Sequence, residues 1–198
     1  LSLTNLKKLD VSSNKLTGNI PNLGSLINLT YLNISNNNLS GDFYNTISSL
    51  SNLEEILLGN NLGSLASTNF SSFTNLKSLD LSGFGLTEIP STLGSLGFLK
   101  NLNVSNNSIT QFSNLSALGN LEELNISKNQ LTEIPSEISA LAFLKTLDAS
   151  RNNLTQFSAI NNLTTLEWLS LENNNLQNLP TEIASLQNLI HLNLANNK

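Results

Sequence analysis

Leu6 to Leu16 read L-K-K-L-D-V-S-S-N-K-L, and this stretch decides the fold. Leu9 and Val11 alternate with Lys8, Asp10 and Ser12, the two-residue period of a strand with one face buried. The same comb restarts at Leu29, Leu53, Leu76, Leu99, Leu121, Leu144, Leu166 and Leu189, at gaps of 23, 24, 23, 23, 22, 23, 22 and 23 residues. A unit this short cannot enclose an apolar face alone, so the repeats must stack, and stacking gives a parallel sheet of about nine short strands. Each strand segment closes on an asparagine: Asn14, Asn37, Asn61, Asn107, Asn129, Asn152, Asn174 and Asn197. Their amides can satisfy the backbone groups freed as the chain turns away from the sheet. Only Phe84 breaks this ladder. The chain then returns through segments such as L-T-E-I-P-S-E-I-S-A-L (Leu131 to Leu141). Leu131, Ile134, Ile138 and Leu141 are expected to point inward, and Pro135 is suited to open a helical turn.

The pattern L-x-x-L-x-L-x-x-N-x-L at this period resembles the leucine-rich repeat from end to end. The resemblance implies an α/β repeat solenoid, a right-handed horseshoe or arc with a parallel β-sheet on its concave face and short helical or irregular return segments. Residues 1–198 read as a single domain of about eight full repeats plus partial terminal repeats. A start in the tail of one repeat at Leu1 and a stop inside a strand at Lys198 read as a fragment of a longer array, whose cut ends would leave leucines facing water and favour association through the ends. Two sub-types alternate from the fourth repeat on. Units of 23 residues carry Ile89-Pro90, Ile134-Pro135 or Leu179-Pro180, and units of 22 carry Gln111 to Ser113 or Gln156 to Ser158, so the repeating block is a pair. L-T-G-N-I-P (Leu16 to Pro21) and L-S-G-D-F (Leu39 to Phe43) resemble plant-type extracellular repeats, whereas the 22-residue units resemble those of internalin-like bacterial or protist surface proteins. The third repeat is irregular, with Leu62 one place early and Gly63 where the leucine belongs, which predicts a bulge near residues 59–66.

A net charge of -5 and a pI near 4.8 argue against nucleic acid or an anionic membrane surface as partner. The chain has no apolar run of membrane-spanning length, so no membrane insertion is expected within this segment. Absence of cysteine leaves the compartment open. Catalysis finds no support: the single histidine, His191, has Asp148 as its nearest concave aspartate two rungs away, too far to orient a base. No cofactor is expected.

Three exposed columns follow from the register. The residue between the strand leucines runs Asp10, Asn33, Leu57, Asp80, Asn103, Asn125, Asp148, Ser170, Asn193. Its aspartates stand three rungs apart, roughly 14 Å, too far to share a cation whose ligands sit within about 2.6 Å, so a solvated hydrogen-bonding ladder is expected. The preceding column runs Lys8, Tyr31, Glu55, Ser78, Asn101, Glu123, Thr146, Trp168, His191. Tyr31, Arg151, Trp168, Glu172 and His191 are the concave binding candidates, four of them gathered at the C-terminal end, because aromatic and arginine anchors dominate binding hot spots. Packing of Trp168 over its neighbours is the structural alternative. Lys77, Lys100, Glu122, Lys145 and Glu167 form a further column whose charges alternate from Lys100 onward and should pair across strands. Threonines and serines just past the asparagines, Thr17 to Thr155, resemble an ice-binding array but lack a second row. Phe98 and Phe143 stand where Asn28, Asn52, Asn75 and Asn120 stand in other repeats; half-buried packing is expected, with a lateral contact strip as the alternative.

Ten N-x-S/T motifs occur, against about 7.6 expected by chance from 35 asparagines and 43 serines and threonines. Of these, Asn28, Asn69, Asn114 and Asn162 are candidate N-glycosylation sites. The reading that follows is a non-catalytic module of a cell-surface or secreted protein that recognises a protein or glycan through its concave sheet, extracellular in location. The alternative is a structural element that self-associates through ends or sides, with ice binding as a minor third.

Overall fold

The computed structural model describes residues 3–65, 69–156, 160–179 and 181–198. Nine three-residue strands form one parallel sheet: β1 (Lys8–Asp10), β3 (Tyr31–Asn33), β5 (Glu55–Leu57), β6 (Ser78–Asp80), β7 (Asn101–Asn103), β8 (Glu123–Asn125), β9 (Thr146–Asp148), β10 (Trp168–Ser170) and β11 (His191–Asn193), in that order. One strand per repeat keeps every crossover identical. The central residues Leu9, Leu32, Ile56, Leu79, Leu102, Leu124, Leu147, Leu169 and Leu192 are therefore in register across the whole sheet.

The core is one continuous apolar stack. In the sixth repeat Leu121, Leu124, Ile126, Leu131, Ile134, Ile138 and Leu141 are all buried, including the four return-path residues expected to point inward. Each such side chain stabilises the fold by about 1.5–3 kcal/mol relative to exposure. The return paths make single 3-10 turns at Phe70–Ser72, Ser91–Ser95, Leu115–Ala117, Ser136–Ala140 and Thr181–Ser185, and one α-helical turn, α1 (Phe43–Ile47). Pro90 and Pro135 stand at the N-caps of their turns with φ of -56° and -57°, values the ring already imposes. Thr17–Asn19 (β2) and Asn38–Ser40 (β4) form a second, two-stranded sheet beside the first two repeats. Gly18 inside β2 and Gly41 just past β4 take φ of +81° and +90°, in the left-handed region, which is why glycine stands in L-T-G and L-S-G.

The asparagine ladder does what its spacing predicts. Asn129 Nδ2 donates to the carbonyls of Val104 in the preceding repeat and of Ile126 and Ser127 in its own, at 3.0, 3.0 and 3.2 Å, while its Oδ1 accepts from the Ile109 amide at 3.0 Å. Asn37, Asn107, Asn152 and Asn174 are bonded in the same way. A second asparagine ladder runs along the opposite flank: the Nδ2 groups of Asn28, Asn52, Asn75, Asn120 and Asn188 donate to Thr4, Ile27, Ser51, Gly97 and Thr164 carbonyls of the preceding repeat. Immediately before each turn asparagine the chain adopts a left-handed conformation, with φ of 53–58° at Ser13, Asn36, Asn60, Asn106, Lys128, Arg151, Asn173 and Asn196. Asparagine tolerates that region better than most residues. Backbone needs thus account for much of the asparagine content.

The irregular third repeat is one packing event shared by three repeats. Leu62 is 69% exposed, and Gly63 occupies the leucine position. A Cβ on Gly63 would lie 2.5–2.8 Å from the Phe43 ring, so Phe43 of the preceding repeat fills the place of the missing leucine. Phe84 of the following repeat then meets Phe43 edge to face, centroids 5.8 Å apart at 90°. Asn61 keeps its rung throughout, bonded to Ile34 and Leu58. Residue 66, the last of the stretch where a bulge is expected, lies outside the described residues, as do residues 67 and 68.

Two expectations need correction. Phe98 and Phe143 are not half-buried but 66% and 57% exposed, because the flank ladder position they share points its side chain outward from the solenoid. The charged column pairs as expected from Lys100 to Lys145, Glu122 bridging Lys100 at 2.7 Å and Lys145 at 2.8 Å, but among the described residues no ion pair reaches Glu167; Lys77, ahead of that run, pairs with Glu54 at 2.7 Å.

Candidate recognition surface

The concave face is shaped by the residues between the strand leucines. Asp10, Asn33, Asp80, Asn103, Asn125, Asp148 and Asn193 each use one side-chain oxygen to accept the backbone amide two residues on, at 2.8–3.1 Å. Such turns bring the chain off the strand end, and Asp and Asn fill the position interchangeably because both supply that oxygen. Asn33, Asn103 and Asn125 with their following serines are therefore N-x-S motifs written by the architecture: Ser35 and Ser127 also donate through Oγ to the same oxygen, at 2.8 and 2.7 Å.

Between Leu57 and Trp168 this face encloses a shallow groove of about 610 Å³ whose walls include Asp80, Asn103, Glu123 and Asp148. Leu57 is the one apolar residue of its column. At Gly59, two places on, a Cβ would lie 2.3 Å from Ser82 Oγ and 2.8 Å from Asp80 Oδ1, so glycine lets the Asp80 turn close in against the third repeat.

At the C-terminal end Trp168 and His191 are adjacent across β10 and β11 and stack, ring centroids 5.5 Å apart and 6° from parallel. Trp168 remains partly exposed and closes one end of the groove. Glu172 accepts from Asn193 Nδ2 at 2.9 Å and from Asn173 Nδ2 at 2.7 Å. Arg151 does not complete the expected cluster. It holds one of the left-handed turn positions, at φ of +55°, its amide donates to the Glu172 carbonyl, and among the described residues no ion pair joins the two side chains. Tyr31 belongs to a separate group at the other end: Lys8 Nζ sits 5.7 Å from its ring centroid, its hydroxyl donates to Asp10 at 3.4 Å, and Asn33 Nδ2 reaches Asp10 at 3.2 Å. The backbone amide of Ser12 foremost, then the Ser12, Asn33 and Tyr31 side chains, hold the Asp10 carboxyl below its ordinary range.

Among the described residues no group of three or more His, Asp or Glu side chains is placed to hold a metal ion, and no helix is long and apolar enough to cross a membrane. The candidate glycan sites differ in their environments. Asn28 is a rung of the flank ladder with its Nδ2 engaged; Asn69 caps a 3-10 turn by accepting from Ser71; Asn114, at φ of +64°, and Asn162 are exposed on the return side.

Sequence models of leucine-rich repeats match residues 4–48, 75–96, 119–162 and 165–186. The chain belongs to the leucine-rich repeat family. A leucine-rich repeat protein of Leptospira interrogans is 35% identical with a TM-score of 0.90, over 99% of this chain and 50% of that one. The ectodomain of the Arabidopsis thaliana receptor kinase GASSHO1/SCHENGEN3, solved in complex with CASPARIAN STRIP INTEGRITY FACTOR 2, is 31% identical at TM-score 0.84, over 98% of this chain and 25% of that one. Internalin C2 of Listeria monocytogenes is 26% identical at TM-score 0.84, over 97% and 82%. This chain thus spans half of the Leptospira protein and a quarter of the plant ectodomain. No curated protein sequence matches it.

The groove walls are the part that sequence reading did not assemble. Asp80, Glu123 and Asp148 stand in the aligned columns, yet only the register of three-residue strands shows that they share one trough with Leu57 and Trp168. The signal was present in the two columns that start at Lys8 and Asp10, where acids recur with no lysine or arginine beyond the first rung.

Proposed function

We propose that this domain is a non-catalytic recognition module of a surface-exposed or secreted leucine-rich repeat protein, and that it binds a protein partner through the concave sheet. The observation that carries this reading is the groove itself, a trough of partly exposed polar side chains with an apolar foot at Leu57 and an indole at Trp168. The plant ectodomain among the similar structures binds a second polypeptide, which is consistent with such a use of the same fold. Trp168 stays partly exposed although it stacks on His191, and tryptophan is among the residues enriched in binding hot spots. Trp168→Ala should weaken partner binding by about 2 kcal/mol or more while leaving thermal stability nearly unchanged, as read by calorimetric titration beside a melting curve. A large fall in stability with unaltered affinity would return Trp168 to packing on His191.

A second reading rests on the other flank. Phe98 and Phe143 stand two rungs apart, about 10 Å, and both are exposed. Side-by-side association of arrays through this strip would bury them. Sedimentation of the Phe98→Ser/Phe143→Ser variant beside the parent protein separates the readings: loss of a concentration-dependent oligomer supports assembly, and an unchanged monomer removes it.

A further inference from the structure

The concave columns that start at Lys8, Asp10 and Ser12 hold Glu55, Asp80, Glu123, Asp148 and Glu172 from the third rung to the eighth, and lysine only on the first. Lys128 and Arg151 stand one place beyond these columns, in the left-handed turn positions. Among the described residues none of these five carboxylates is in an ion pair; the lysines of the paired ladder answer Glu54 and Glu122 at the edge of the sheet instead. Asp80 and Asp148 each spend one oxygen, Oδ1, on the turn amides of Ser82 and Ser150, which leaves the other oxygen outside that bond. A sheet face this wide, lined by carboxylates without internal counterions, repels an anionic ligand and attracts a cationic one.

The dimensions narrow the partner further. Five rung steps separate Leu57 from Trp168, about 24 Å, the length of roughly seven residues of extended chain. Asp80 and Asp148 are three rungs apart, about 14 Å, and two side chains of an extended peptide four residues apart project from the same face at about 13 Å. Glu123 lies between them on the neighbouring column, one rung from Asp148. A neutral glycan could donate its hydroxyls to the same carboxylates, but its binding would not depend on their charge or on salt.

We infer that the groove takes an extended, basic segment of a protein partner, with arginine or lysine at positions i and i+4 over Asp80 and Asp148 and an apolar or aromatic residue against Leu57 or Trp168. This rests on the concave-recognition reading above and specifies its ligand. Each cation would form charge-assisted hydrogen bonds to a carboxylate already fixed by its own turn, so little ordering of the protein side is required.

The test uses blocked heptapeptides in a serine background, with arginine at positions 1 and 5 and leucine at 7, all on one face of an extended chain. Two controls place glutamate at 1 and 5, or arginine at 1 and 2. Binding is read by calorimetric titration and, where Trp168 is present, also on the emission of that single tryptophan. The i, i+4 arginine peptide should bind at least about tenfold more tightly than either control, and raising salt from about 50 to about 500 mM should weaken it, since the screening length shrinks severalfold over that range. Asp80→Asn/Asp148→Asn should remove at least about tenfold in affinity. That variant keeps the turn bonds, because Asn33, Asn103 and Asn125 make them from the same column, so loss of binding does not report misfolding. Equal or tighter binding of the glutamate peptide, indifference to the double substitution, or no binding of the arginine peptide at millimolar concentration overturns the inference. The underlying reading fails separately: a glutamate peptide whose binding is lost on Trp168→Ala preserves concave recognition and rejects the basic partner, whereas peptides that bind without touching Trp168 emission or responding to Trp168→Ala reject both.

Discussion

Asn129 and Phe84 occupy the same place in their repeats and hold it by opposite means. Asn129 is buried and spends its whole amide on backbone groups of two successive repeats. Phe84 is half-buried and has nothing to offer a backbone donor; its contribution is an edge-to-face contact with Phe43, reached only because Gly63 carries no side chain. A polar rung needs no particular neighbour, since every repeat presents the same carbonyls. An aromatic rung needs matching changes in the two repeats before it. The solenoid therefore tolerates an exception to its ladder only as a set, and the set lies away from the acidic concave groove.

The sharpest way to break this comparison is Asn129→Ala. It leaves the buried Ile109 amide without a partner, at about 1–3 kcal/mol, and takes one of two asparagine donors from each of the Val104 and Ile126 carbonyls, which Asn107 and Asn152 still serve, at about 0.5–1.5 kcal/mol per lost bond. We expect a loss of about 2–4 kcal/mol after partial relaxation, measured by urea unfolding. A loss below about 1 kcal/mol would show that water enters the turn and that the ladder is ornament rather than support.

Gly63→Leu restores the residue that the repeat pattern asks for, and it should destabilise. The new side chain enters space held by the Phe43 ring, and overpacking a filled core costs about 1–3 kcal/mol. Adding Phe43→Ala should recover part of that loss, which a double-mutant cycle would display as coupling between residues of adjacent repeats. Additive effects would separate Phe43 from Gly63 and leave the third repeat's irregularity without a packing cause.

The same comparison marks how far the sequence could be read. Period, strand and turn asparagine are local patterns, so the sheet, its register and the first ladder were legible from Leu6 to Asn14 repeated nine times. Phe43, Gly63 and Phe84 were visible as separate oddities, but nothing in a one-dimensional pattern says that a ring from one repeat fills a hole in the next. The flank ladder from Asn28 to Asn188 was hidden for a different reason: those asparagines look like ordinary surface residues until the neighbouring carbonyl is seen. Of the candidate site, the Trp168 and His191 pair was legible because adjacent rungs must touch. Arg151 was misplaced because a left-handed backbone position, not a partner, fixes where its side chain departs.

The smallest effect tests the edge of the sheet, where charge is paired, against its acidic floor, where it is not. Hydrogen bonds from Lys100 and then Lys145, followed by their positive charges, lower the Glu122 carboxyl from 4.5 to about 2. A carboxylate whose folded-state value is depressed contributes stability that is fully present above its unfolded value and is lost as pH falls through the folded one. The contribution should therefore be intact above about pH 5 and fade between roughly pH 4.5 and 2. Lys145, raised by the same pairing with Glu122, behaves in the opposite sense: its share is present at neutral pH and disappears only as pH rises through its raised value above 10.5. Both lysines are about half exposed and Glu122 is partly so, and solvent and salt therefore screen the pairs and keep the effect on stability small. Glu122→Gln should lower the unfolding midpoint slightly at neutral pH, the gap to the parent protein should close as the pH approaches 2, and added salt should narrow it at any pH between. Asp80→Asn on the concave floor, where no cation answers the carboxylate, should show no such salt-sensitive gap. If Asp80→Asn loses as much stability with the same salt dependence, the floor is paired after all, and the contrast between edge and groove disappears.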